Sequence, residues 1–142
     1  MIVNEPSTRV SLEAAFQRYE KALTGNDLAV LDELFLDARE TIRYGITENL
    51  YGIEEIRAFR AARPATSLER QLARTEITTY GDSFGIASTL FRRASAPGKI
   101  GRQMQTWIRT SEGWRVAAAH VSMIDEGQAK PPDPGSNPQD TD

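Results

Sequence analysis

The chain contains no cysteine and only one histidine, His120. These absences exclude disulfides, thiolate nucleophiles, histidine-rich metal centres and nearly every kind of zinc site. The acidic residues are scattered, so the clustered carboxylates of a magnesium or calcium site are also missing, and no cofactor or metal is expected. No apolar run approaches the roughly 20 residues that cross a bilayer. The N-terminal MIVNEPSTRV lacks the basic and then apolar layout of a secretory signal. The net charge is a modest −3 with the signs intermixed, which leaves no basic face for nucleic acid. The expectation is a soluble cytoplasmic protein with neither a membrane nor a nucleic-acid partner. Catalytic signatures are absent too: GxSxG, the phosphate loop, the dinucleotide fingerprint and HExxH do not occur, and no serine has an obvious lysine or histidine relay. Any chemistry must run on arginine, tyrosine, histidine and amide groups.

What is present is an ordinary globular composition, 39% hydrophobic and 26% charged over 142 residues, enough for one domain with one core. A first helix is expected to begin between Ser7 and Ser11, with Leu12, Phe16, Tyr19 and Leu23 as its apolar stripe and Gly25 as its stop. Asn26 or Asp27 can cap a second helix carrying Leu28, Leu31, Leu34 and Phe35. Thr41 to Tyr44 alternates like a short strand, with Arg43 among apolar neighbours. A polar turn containing Glu48 and Asn49 follows between Gly45 and Gly52. A third helix runs from Ile53 to Arg63, where Pro64 ends it, and its stripe is Ile53, Ile56, Phe59 or Arg60, and Arg63.

From Leu68 the pattern changes to four long strands joined by turns at Gly81-Asp82, Ala96-Pro97-Gly98 and Ser111-Glu112-Gly113. Helices followed by an antiparallel meander make an α+β domain over 1–125, with three helices packed on a curved antiparallel sheet. Residues 126–142, rich in Pro and Asp, read as a disordered tail. Alternation puts Gln103, Gln105 and Trp107 on one face of the third long strand. It puts Trp114, Val116, Ala118, His120 and Ser122 on one face of the fourth.

Each candidate site residue has two readings. Arg43 is either half of a structural ion pair with Glu48 or a bidentate carboxylate anchor, a role that suits a guanidinium because it stays charged when buried. Tyr19 is either a core tyrosine or a proton donor to a ligand. His120 is a core or edge histidine, or a substrate-orienting group. Gln103, Gln105 and Trp107 form an outer or dimer face, or the floor of a pocket for a planar, urea-like ligand. Arg63 and Arg74 are exposed or snorkelling, or a second carboxylate clamp.

Taken together, RYEKALTGNDLAVLDELF, TIRYGITENLYGIEEIRAFRAARP, ITTYG, GRQMQTW and GWRVAAAHVS resemble the AtzH and HpxZ proteins, encoded beside amidases of cyanuric acid and oxalurate (ureide) catabolism. These belong to the nuclear-transport-factor-2-like superfamily, whose cone-shaped (cystatin-like) fold is shared with ketosteroid isomerase. The likeness runs from about Glu13 to Met123. It implies a conical pocket and a homodimer made through the sheet. It also implies action on a small urea-derived carboxylate, with the family's tyrosine and arginine falling on Tyr19 and Arg43. In that scheme 1,3-dicarboxyurea gives allophanate, with Gln105, His120 and Trp107 as substrate-binding residues. Two other classes compete: a non-catalytic subunit of an amidase partner, and an isomerase or cyclase, which would need a carboxylate base deep in the pocket.

Overall fold

The computed structural model describes residues 1–64 and 68–129. Helix α1 spans Pro6–Thr24, earlier than the serine caps predict. Proline at the helix start loses no useful hydrogen bond, and the Glu5 carboxylate caps the freed N–H groups of Ser7 and Thr8 at 3.2 and 2.8 Å. Asp27 caps α2, Leu28–Leu34, through the N–H of Val30. Phe35 leaves the helix yet stays fully buried, bridging to Val116 in parallel register.

Strands β1 (Ile42–Tyr44) and β2 (Asn49–Tyr51) form a small hairpin, where only a polar turn was expected after Tyr44. Leu50 explains the difference. It is the one apolar side chain of the segment that buries, and it stands opposite Arg43 on the inner face. Gly52, at φ 89°, turns the chain into α3, Ile53–Ala62. Arg63 is already extended, as the residue before a proline must be.

Strands β3 (Gln71–Tyr80), β4 (Phe84–Arg92), β5 (Lys99–Thr110) and β6 (Gly113–Asp125) make the expected antiparallel meander. The six strands lie in the order β2-β1-β6-β5-β4-β3, and β1 pairs with β6 in parallel. The three helices therefore pack on a mixed sheet rather than a purely antiparallel one. Glu126–Ala129, assigned to the tail from sequence, forms a 3-10 turn held by Glu126 N–H on the Gly98 carbonyl and by the Arg92–Glu126 ion pair. The remainder of the expected tail lies outside the described residues.

A bulge in β6 decides which side chains face the helices. Thr106 pairs with Ala118 but Trp107 pairs with Val116, so Ala117 is an extra residue and the alternation changes phase there. Val116, Ala119 and Val121 point inward, while His120 is exposed on the far face beside Met104. The strict alternation that grouped His120 with Trp114 and Val116 is thereby corrected. The register also places Arg43 beside Ala119, whose small side chain leaves the guanidinium room on the inner face.

The core joins Leu12, Phe16, Tyr19 and Leu23 of α1 to Leu31, Leu34, Ile53, Ile56, Trp107 and Val116. Trp114 Nε1 donates to Ser11 Oγ at 2.8 Å and pins α1 to β6. At the other end, Phe91 lies opposite Gly101 and covers it. A Cβ at Gly101 would stand 2.1 Å from the Phe91 ring. Gly101→Ala is therefore expected to cost about 1–3 kcal/mol, the usual range for overpacking, read as a lower urea midpoint with an unchanged slope. An unaffected midpoint would mean that the ring has somewhere else to go.

Candidate functional site

A cavity of about 280 Å³ opens between α1, the tip of the β1–β2 hairpin, the end of α3 and the inner face of the sheet. Its wall includes Tyr19, Arg43, Glu48, Phe59, Arg63, Leu68, Arg70, Arg93, Gln103 and Val121. Tyr19 and Arg43, the two residues expected to act together, both line this cavity. A wider and more open groove of about 820 Å³ follows the end of α1, but it is a surface feature that meets the cavity only at Arg70.

Arg43 stands on β1 with its side chain mostly buried and donates from Nη1 to Glu48 Oε1 at 2.6 Å. Its guanidinium lies 5.7 Å from the centre of the Phe59 ring. Gly45 makes this possible, since a Cβ there would overlap the Glu48 carboxyl and crowd Arg43. Burial pushes the Glu48 carboxyl upward. Hydrogen bonds from Thr47 and Arg43, with the Arg43 charge, more than offset that and hold it below the ordinary carboxylate range. The two readings of Arg43 are thus not exclusive: its ion pair fixes the guanidinium in the cavity wall.

Tyr19 is 4% exposed on the buried stripe of α1, edge-on to Trp107 with ring centres 6.5 Å apart and tilted against Phe35. Among the described residues none hydrogen-bonds its hydroxyl, which leaves that group available to the cavity it lines. Gln105 and Trp107 are buried but lie outside the cavity wall. Trp107 Nε1 donates to Gln105 Oε1 at 3.1 Å, so this pair braces Tyr19 from within the core. His120, expected among the binding residues, is outside the site altogether, packed on Tyr44 at 6.1 Å on the opposite face.

Of the four arginines in the wall, sequence reasoning named Arg43 and Arg63 and missed Arg70 and Arg93. Arg70 donates from Nε and Nη2 to the two oxygens of Glu20 at 2.9 and 2.5 Å, and from Nη2 to Gln103 Oε1 at 3.0 Å. Phe91 lies against both Arg70 and Arg93, at 4.6 and 5.2 Å. Desolvation first, and then the Arg43 charge, weaken the hold of Arg63 on its proton. Desolvation and then the charges of Arg70 and Arg63 do the same to Arg93. Four guanidiniums line the wall, and two of them are held by carboxylates, Arg43 by Glu48 and Arg70 by Glu20. Behind Tyr19, Arg60 is 5% exposed, bound to Asp32 at 3.0 Å and stacked 4.2 Å from the Phe35 ring. Arg60 and Arg63 did carry a signal, because both continue the buried stripe of α3. Arg70 and Arg93 flank strands and show no period. Arg74, the other suggested clamp, is exposed at the β3 bulge.

Solved structures with this architecture define its class. A cystatin-like fold protein from Burkholderia xenovorans is 45% identical, covering 88% of this chain and 98% of its own, with a TM-score of 0.85. A protein of unknown function from Pectobacterium atrosepticum, of the DUF3225 family, is 60% identical over 87% of this chain and 95% of its own, also at 0.85. A ketosteroid isomerase-like protein from Erwinia carotovora atroseptica shares the fold at a TM-score of 0.70, with 13% identity over 84% of this chain and 98% of its own. The domain is thus of the nuclear-transport-factor-2-like, cystatin-like class. Within it the chain belongs to the AtzH-like family, whose model matches residues 1–127. No curated protein matches the chain.

Glu48 provides a test of the site's electrostatics. Glu48→Ala leaves Arg43 without its counter-ion and is expected to cost about 1–3 kcal/mol at neutral pH. Because the folded carboxyl is held below its unfolded value, its contribution is complete above the unfolded value. It is lost as pH falls through the folded one. The gap in urea stability between the two proteins should therefore close on acidification below about pH 4.5. A gap independent of pH would assign the loss to packing.

Proposed function

We propose that the protein is a decarboxylating hydrolase (amidase) of small N-carboxylated ureas, converting a 1,3-dicarboxyurea-type substrate to allophanate. The supporting observation is that Arg43 and Tyr19 both line one small cavity whose wall carries four arginines. Membership of the AtzH-like family agrees with it.

In this reading Arg43, oriented by Glu48, receives one substrate carboxylate on the donor edge that Glu48 leaves open. The urea plane lies over the inner face of the sheet, with Gln103 rather than Gln105 or His120 offering its amide. The Tyr19 hydroxyl donates its proton to the carbamate nitrogen as the C–N bond breaks. The bonding pair stays on nitrogen, the carboxyl departs as CO2, and a solvent proton restores the phenol. The phenolate charge left after donation falls among Arg60, Arg63 and Arg93, each within electrostatic reach of Tyr19. An isomerase reading is weaker, because Glu48, a carboxylate in the wall, is tied to Arg43 and is a poor base. The homodimer expected through the sheet would use its outer face, where Phe84 and Met104 are 41% and 56% exposed.

Purified protein is expected to release CO2 and allophanate from 1,3-dicarboxyurea above the spontaneous rate. Tyr19→Phe should lower kcat about 10²- to 10⁴-fold, the usual weight of one positioned acid. Arg43→Ala should raise KM as well. Turnover no faster than background, or unchanged in both variants, would overturn the assignment.

A further inference from the structure

Arg43 accounts for one end of a ligand, but the cavity carries more cationic capacity than a single carboxylate needs. Arg63 reaches the wall from the end of α3, and its Nε and Nη2 are buried without a hydrogen-bond partner among the described residues. Gln103 is similar. Its Oε1 is taken by Arg70, while its Nε2 is buried with no partner among the described residues. A guanidinium and an amide held unsatisfied in a cavity wall cost stability unless something occupies them.

Their position relative to Arg43 follows from the sheet. Arg43 pairs with Ala119, which pairs with Gln105, and Gln103 lies one pleat further along β5. Two strand spacings across and two residues along separate the backbones of Arg43 and Gln103 by about 10 Å and about 7 Å respectively. With both side chains reaching inward, the gap suits a short linear molecule lying diagonally across the floor. Arg63 stands within electrostatic reach of both Arg43 and Tyr19, and Arg93 within reach of Arg63, Tyr19 and Arg70. The guanidiniums thus form a row of neighbours from Arg43 to Arg70, with Tyr19 in reach of its middle members.

We infer that Arg63 and the Gln103 amide form a second carboxylate subsite distinct from Arg43, so that the pocket selects small linear dianions over monoanions. This rests on the proposed reading of the cavity as a ureido-carboxylate site and names the residues that hold the far carboxylate. Arg63 is on this account a specificity-determining group, separate from the Arg43 anchor.

The test is calorimetric and needs no turnover. The probes are 3-oxoglutarate, in which methylenes replace the NH groups of dicarboxyurea, and acetoacetate, which lacks the second carboxylate. Wild-type protein should bind 3-oxoglutarate at least tenfold more tightly, the effect of one added charge-assisted hydrogen-bonded group. Arg63→Gln should reduce 3-oxoglutarate affinity to near that of acetoacetate while leaving acetoacetate unchanged, and Arg63→Lys should restore part of the difference. Equal binding of both probes by the wild type would overturn the second subsite, as would equal weakening of both by Arg63→Gln, or no weakening of either. Inactivity toward dicarboxyurea with the dianion preference intact would reject the reaction and keep the subsite. Activity without that preference would do the reverse.

Discussion

A guanidinium on the inner face of a sheet is costly unless it is paired, and the Arg43–Glu48 contact meets that cost within a single hairpin. Much of the local structure serves this one pair. Gly45 leaves space for the carboxyl, Thr47 gives it two further hydrogen bonds, and Leu50 anchors the opposite strand. Ala119 and the bulge before it give β1 a neighbour small enough to admit the arginine. The result is a charge whose direction is fixed before any ligand arrives, which is the property an anchoring group needs.

The same logic repeats around the cavity. Arg70 is locked by Glu20 and Gln103, and Arg60 by Asp32 and Phe35. Phe91 presses on both Arg70 and Arg93 while covering Gly101. The aromatic side chains are therefore part of the electrostatic design, because they hold cations away from water and leave their donors directed. Tyr19 differs from these groups in that no described residue hydrogen-bonds its hydroxyl. It is held by its ring alone, between Trp107 and Phe35.

The pairing of Tyr19 with Arg43 came from the family resemblance, while periodicity made the helices and the long strands legible in the residues. Those features depend on local patterns: a stripe at helical spacing, alternation, and turns marked by glycine. What could not be read depended on pairing. The one-residue bulge at Ala117 leaves no compositional mark in a run of three alanines, yet it moves His120 from the expected inner face to the outer one. The β2 strand is too short to carry a pattern, and the parallel β1–β6 contact joins segments more than seventy residues apart. Arg70 and Arg93 enter the cavity only because sheet curvature brings the ends of β3 and β4 beside α1. Arg63, by contrast, was read as the end of the α3 stripe, with a carboxylate clamp as one of its two readings, and it lines the cavity.

The central claim is that Arg43, directed by Glu48, anchors a carboxylate within reach of Tyr19. A crystal structure of the protein with 3-oxoglutarate tests it most directly. The account predicts one ligand carboxylate hydrogen-bonded to the Arg43 guanidinium and the adjoining ligand carbon beside the Tyr19 hydroxyl. A ligand seated elsewhere in the cavity, with the Arg43–Glu48 pair untouched and Tyr19 out of reach, would contradict it.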